Sequence, residues 1–134
     1  MKLIRDRGLI LILIFLGTSC SSQIKLTDYI DTTGPLTMTI ITQDKVTGLS
    51  TMKHTEILPT SDKFKSFIDW CDNNDKGWRS DFTTFNARVR ITQPNFYFHL
   101  MTKGVAVEFI DKNGKPRQFS KTTNTDSLYL LTKE

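Results

Sequence analysis

Residues 87–110, with the sequence ARVRITQPNFYFHLMTKGVAVEFI, decide the fold of this 134-residue chain. Three segments of this stretch alternate between apolar and polar residues, and the turn signals Pro94-Asn95 and Lys103-Gly104 separate them. Alternation with a period of two is typical of a strand that buries one face. We therefore predict three consecutive antiparallel strands joined by two hairpins.

The hairpin turns predict which residues share a face. A two-residue loop at Lys103-Gly104 would set Leu100 opposite Val107 and Phe98 opposite Phe109. A loop of two or four residues around Pro94-Asn95 adds residues 87, 89 and 91 to the same apolar face. Four residues are preferred, because proline cannot adopt the positive φ of a primed two-residue turn.

The next hairpin has its turn at Asn113-Gly114, a strong hairpin signal. Phe119 joins the apolar face only if this loop contains an odd number of residues. A type I turn followed by a glycine bulge gives such a count.

The opposite face of the three strands is a candidate binding face. It consists of Arg88, Arg90, Tyr97, His99, Met101, Glu108 and Ile110. The Lys103-Gly104 register would set His99 directly opposite Glu108. Such a face can be a solvated surface with ordinary cross-strand pairs. Aromatic, Met and Arg side chains are also enriched at interfaces, so the face could bind a protein or an anionic envelope ligand.

A helix is predicted over residues 62–73. Ser61 is a favourable N-cap, and Phe64, Phe67, Ile68 and Cys71 follow at the spacing of one helix face. This face should lie across the sheet.

The remaining segments complete an α+β fold. Residues 36–43 read as a strand, residues 51–58 as an edge strand and residues 127–131 as a last strand. Phe82 and Phe85, in the connection 79–86, are expected in the core. The prediction is a small antiparallel meander of five or six strands with one amphipathic helix on one face.

The N-terminus reads as an export signal. Lys2, Arg5 and Arg7 precede an unbroken apolar run over residues 9–16. Eight residues are too few to span a bilayer, which needs about 20 residues of helix.

The stretch Leu16-Gly17-Thr18-Ser19-Cys20 resembles the lipobox of bacterial lipoproteins, although Gly17 and Ser19 stand where Leu and Gly or Ala are commonest. The resemblance implies cleavage before Cys20 and attachment of diacylglycerol, with further acylation, so that two or three chains anchor the protein. It also implies the cell envelope, with Ser21 favouring the outer over the inner membrane. We therefore divide the chain into a signal peptide (1–19), a lipid anchor and tether (20–35) and one domain (36–134). Ordinary signal-peptidase cleavage near Ser19 is the alternative.

The charge and composition of the chain limit the classes of ligand and partner that it is expected to bind. After Cys20 the chain carries 15 Lys and Arg against 13 Asp and Glu, without a basic run of the kind that binds nucleic acid. Cys71 is the one other cysteine, so no disulfide framework is expected. No phosphate loop, nucleophile elbow or metal-ligand spacing occurs, and we expect no cofactor, metal or catalytic residue. The prediction is a non-catalytic binding or accessory lipoprotein. The alternative is an inhibitor or immunity-type protein against an envelope-acting toxin or hydrolase.

Overall fold

The computed structural model describes residues 21–134, and the predicted signal peptide and Cys20 lie outside this range. Seven antiparallel strands form one sheet in the order β2-β1-β4-β5-β6-β7-β3. The strands are β1 (Leu36–Gln43), β2 (Ser50–Ile57), β3 (Arg79–Ser80), β4 (Val89–Gln93), β5 (Phe96–Met101), β6 (Gly104–Ile110) and β7 (Pro116–Thr122). The α+β prediction is confirmed in outline. The strand count and the simple meander were wrong, because β1 inserts beside β4 and β3 pairs with β7 at the far edge.

Helix α1 (Asp62–Asn73) forms over the predicted residues and packs on the core face of the sheet, but the prediction that one helix covers this face was wrong. Ser61 accepts a hydrogen bond from the backbone N–H of Phe64 and so caps the first turn. The rings of Phe67 and Trp70 meet Phe98 edge-on, with centroid separations of 5.0 and 5.5 Å. Two other segments of the chain also pack against the core face beside α1.

The N-terminal segment over residues 24–30 is the first of these. Ile24, Leu26 and Ile30 are buried in the core, and Leu26–Tyr29 forms a 3₁₀ turn. Gln93 fixes the segment's end: its Oε1 accepts from the backbone N–H of Asp31 at 2.9 Å, and its Nε2 donates to the Asp31 carbonyl at 2.8 Å. Most of the predicted tether is therefore part of the domain, because its apolar side chains fill the space that the sheet leaves beside α1.

The C-terminal segment is the second. Residues 127–131 were predicted as a strand but form α2 (Asp126–Tyr129) and a following 3₁₀ turn. Leu128 and Leu131 are buried, whereas Leu130 between them is exposed. The apolar spacing of three residues fits a helical turn and not the alternation of a strand.

The first hairpin of the deciding stretch has a two-residue loop. Gln93 lies opposite Phe96, so only Pro94 and Asn95 form the turn, and the preferred four-residue loop was wrong. Asn95 has φ 62°, which is the conformation that a type II turn requires after proline. The predicted face is unaffected, since both loop lengths give the same pairing of Ile91 with Phe98.

The second hairpin turns one residue earlier than predicted. Its loop is Thr102-Lys103, and Gly104 already belongs to β6, opposite Met101. Phe98 therefore faces Val107, a shift of two residues from the predicted pair. A Cβ on Gly104 would collide with the backbone carbonyl oxygen of Lys121 in β7, so this glycine permits a close approach of strands.

The third hairpin confirms the odd loop. Residues 111–115 connect Ile110 to Pro116, and Phe119 lies opposite Val107 on the core face. Asp111 Oδ1 accepts hydrogen bonds from the backbone N–H groups of Asn113 and Lys115, both at 2.9 Å. The strand over residues 36–43 and the edge strand near residues 51–58 are also confirmed, as β1 and β2.

Candidate binding groove on the second face of the sheet

The predicted binding face lies on the second face of the sheet, opposite α1, but its seven residues differ widely in exposure. Arg88, Tyr97 and Ile110 are exposed, Arg90, Met101 and Glu108 are half-buried, and His99 is buried with 7% exposure. The register separates them along the strands. Tyr97, Glu108 and Ile110 cluster at one end, Arg90 and His99 lie in the middle, and Arg88 and Met101 lie at the other end.

His99 and Glu108 are joined, although not in the predicted way. His99 lies opposite Ala106, and Tyr97 lies opposite Glu108. His99 reaches Glu108 diagonally, with 2.8 Å between His99 Nε2 and Glu108 Oε2. The direct pairing that we predicted was wrong by the two-residue register shift of the hairpin. The contact survives because a shift of two keeps both side chains on one face.

Arg90 and His99 have unused hydrogen-bonding capacity at the centre of this face. They lie directly opposite each other in β4 and β5. Arg90 Nε and His99 Nδ1 are both buried, and neither has a hydrogen-bond partner within residues 21–134. Buried polar atoms ordinarily have one. These two atoms are therefore unpaired within residues 21–134 and are also shielded from solvent.

Residues 81–86, which we call the strap, cross the second face and are bound to β7. Asp81 Oδ2 accepts from Ser120 Oγ at 2.8 Å, and the backbone N–H of Asp81 donates to the carbonyl of Gln118 at 3.1 Å. Gln118 Nε2 in turn donates to the Thr83 carbonyl. The hydrogen bonds that Asp81 accepts from Thr83 and Ser120 hold the pKa of its carboxyl below the ordinary value.

The two phenylalanines of the strap are not in the core, contrary to the prediction. The Phe85 ring lies 5.7 Å from the His99 ring on the second face, where it is half-buried. Phe82 is 91% exposed. Aromatic character indicates burial only where the chain approaches the core, and the strap runs along the opposite side of the sheet. The sequence carries no strand alternation here that could have assigned these rings to a face.

A groove of about 450 Å³ opens beside the strap on the second face. The side chains that form it on this face are Phe82, Tyr97, Glu108, Ile110, Pro116 and Gln118. Three of the seven predicted residues belong to it. Phe82, Pro116 and Gln118 are the three residues of this set that sequence reasoning did not assign to the face.

Glu108 provides the negative charge in this groove; the other charged lining residue, Arg117, is ion-paired with Asp111 at 3.6 Å. Its Oε2 is engaged by His99, and its side chain remains 41% exposed. Its Oε1 has no hydrogen-bond partner in the described part of the chain. Because His99 holds one oxygen, the carboxylate has a defined direction, and its second oxygen can accept a hydrogen bond from a bound group.

A larger cavity, of about 660 Å³, lies between the N-terminal segment and the β6–β7 hairpin. Its lining carries both signs of charge, including Lys25, Asp28 and Lys112. Arg117 and Asp111 in the same lining form an ion pair at 3.6 Å. Because these two charged groups neutralise each other inside the cavity, fewer free charges remain there to bind a ligand.

The cysteine and the acidic cluster that could carry chemistry are buried or hydrogen-bonded at sites away from the groove. Cys71 is fully buried under the sheet, and this burial raises the pKa of its thiol. The acidic end of α1 holds the N-terminal segment: Asp72 accepts from Thr27 Oγ1 at 3.0 Å, and Asp75 accepts from Gln23 Nε2 at 2.7 Å. Between residues 21 and 134 no three His, Cys, Asp or Glu side chains are placed to hold a metal ion.

The lipid attachment predicted at Cys20 stays a prediction, because this residue lies outside the described range. Among residues 21–134, no helix has the length and apolar character needed to cross a bilayer. Comparisons with protein-family models, with curated proteins and with solved structures found no match to this chain.

Proposed function

We propose that this chain is a non-catalytic lipoprotein of the bacterial cell envelope, anchored by lipid on Cys20, that binds a segment of a partner protein in the groove. The lipobox resemblance supports the anchor, with the outer membrane as the expected location. The groove supports the binding role.

The observation that carries the binding role is the exposure of large apolar side chains around a held carboxylate. Phe82 is 91% exposed, Tyr97 47% and Ile110 40%, and all three border the same groove. Contiguous apolar side chains at a surface mark interaction sites more often than isolated ones do. A partner that covers Phe82 would remove its ring from water, which makes Phe82 the expected anchor of the interface.

The chemistry of the groove favours a basic and apolar segment of a protein. The free Oε1 of Glu108 accepts a hydrogen bond, most strongly from a cationic donor. Lys and Arg side chains combine such a donor with an apolar stem that can lie along Tyr97 and Ile110. An anionic ligand would instead need a free cation. Arg117, which lines the groove, is ion-paired with Asp111, and Arg88 is exposed only at the other end of the face.

Photo-crosslinking in cells tests this proposal. A photoreactive residue at position 82 of the full-length lipoprotein should give one discrete adduct with another protein, and Ile110→Ser should reduce that adduct. The matched control places the same residue at position 46, where Val46 is 94% exposed on the β1–β2 turn. The proposal fails if position 82 gives no discrete adduct, or if position 46 gives the same one.

Arg88→Glu distinguishes the two kinds of partner. A protein segment in the groove should crosslink equally well with this variant, because Arg88 lies at the far end of the strands. Loss of the interaction with Arg88→Glu, together with insensitivity to Ile110→Ser, would favour an anionic envelope ligand over the groove.

A further inference from the structure

The chain is hydrogen-bonded to the domain from Ser22 onward, two positions after Cys20 in the sequence. Ser22 forms two backbone hydrogen bonds with Trp78, from Ser22 N–H to the Trp78 carbonyl at 2.6 Å and from Trp78 N–H to the Ser22 carbonyl at 3.2 Å. The backbone N–H of Ile24 donates to the Asp75 carbonyl at 2.7 Å. Two residue steps separate Cys20 from Ser22, and they reach about 7 Å at most.

This attachment lies at one edge of the sheet. Trp78 directly precedes β3, and β3 is the edge strand beside β7. The other edge is β2, six strand positions away. Six spacings of about 4.8 Å put the two edges roughly 25–30 Å apart, allowing for twist.

We infer that the lipidated protein has no spacer and rests with its β3 edge directly against the lipid headgroups. This inference depends on the lipid anchor of the proposed function. Lys76 and Arg79 flank Trp78 and are both exposed, so that their cations would meet headgroup phosphates. The β2 edge and the β1–β2 turn, with exposed Val46 and Leu49, then point away from the bilayer.

Short-range fluorescence quenching tests this orientation. Lys76→Cys and Val46→Cys variants of the lipoprotein, isolated from cell membranes, are labelled with a fluorophore and reconstituted into phosphatidylethanolamine–phosphatidylglycerol vesicles that carry a headgroup nitroxide. Cys71 has 0% exposure and should escape labelling. Quenching at position 76 should be several-fold stronger than at position 46. Vesicle flotation is measured on the same samples, and Cys20→Ser is the control without a lipid.

The outcomes separate the orientation from the anchor. Protein that floats with the vesicles but is quenched equally at both positions, or more at position 46, would overturn the orientation and leave the anchor intact. Protein that does not float would overturn the anchor and the orientation together. Stronger quenching at position 76, lost with Cys20→Ser, would support both.

Discussion

The imidazole of His99 and the carboxylate of Glu108 form a diagonal cross-strand hydrogen bond, 2.8 Å from Nε2 to Oε2, on the face of the sheet opposite α1. The two partners of this hydrogen bond differ in solvent exposure: the side chain of His99 is 9% exposed and that of Glu108 is 41% exposed. Glu108 thus joins a buried ring to the groove. The pair links the stability of the sheet with the site proposed to bind a partner.

Removal of the Glu108 carboxylate should destabilise the domain. Glu108→Ala leaves both ring nitrogens of buried His99 without a protein partner, and we expect the free energy of unfolding to fall by about 1–3 kcal/mol. Glu108→Gln retains an acceptor oxygen and should cost less. Chemical denaturation measures both. Glu56→Ala, at an exposed position of edge strand β2, should stay within about 0.5 kcal/mol of the parent. An equal effect of Glu108→Ala and Glu56→Ala would contradict the role of the pair.

Gly104→Ala should destabilise the β6–β7 pairing. The added methyl group would meet the backbone carbonyl of Lys121, which cannot move without disturbing the ladder. We expect a loss of about 1–3 kcal/mol, as for other overpacked sites. Gly114→Ala provides the comparison: its added Cβ meets open space, and φ of 74° is the only source of strain. A loss in Gly104→Ala no larger than in Gly114→Ala would show that the strands do not approach so closely.

Leu26→Ala tests whether the N-terminal segment belongs to the domain. Leu26 has 0% exposure, so truncation should remove a full core contact and cost about 2–5 kcal/mol of unfolding free energy. Leu49→Ala, at a residue 69% exposed on the β1–β2 turn, should cost little. If the two variants unfold at the same denaturant concentration, residues 24–30 act as a tether after all.

Acid should weaken the attachment of the strap. The pKa of Asp81 is lowered in the folded state by hydrogen bonds from Thr83 and Ser120, so its stabilising effect is present above the unfolded-state value of 3.8. That effect is lost as the pH falls through the lower folded-state pKa. Between about pH 5 and pH 2, Asp81→Asn should therefore lose less stability than the parent protein. Thermal unfolding of both proteins across this pH range measures the difference. If the melting temperatures of the two proteins fall in parallel as the pH is lowered, the result would argue against the strap contact.

Alternation was enough to assign faces in the central sheet. A strand places successive side chains on opposite sides, so residues 87–110 divided correctly into a core set and a second-face set. The cap at Ser61 and the spacing of Phe64 and Phe67 were equally sufficient for α1. These features are local, because each depends on a few consecutive residues and the geometry of one element.

The tertiary structure was needed to establish the register of the strands and the segments that pack over each face of the sheet. A shift of two residues leaves every face unchanged, so sequence alone could not tell whether Glu108 lies opposite His99 or Tyr97. The structure pairs Glu108 with Tyr97 and places Gly104 inside β6, where a side chain would collide with Lys121 of β7. The strap gave no sequence signal, since two phenylalanines in a loop carry no period. Its position depends on hydrogen bonds with Gln118 and Ser120, 35 or more residues away along the chain.

By itself, then, the sequence determined the alternating strands, the helix and the sorting of side chains between two faces, because these follow from the fixed geometry of the backbone. Only the tertiary structure decided what covers each face. The N-terminal segment and α2 joined α1 over the core, and the strap closed part of the second face and left the groove beside it. Such packing depends on contacts between residues far apart in the chain, which no local pattern records.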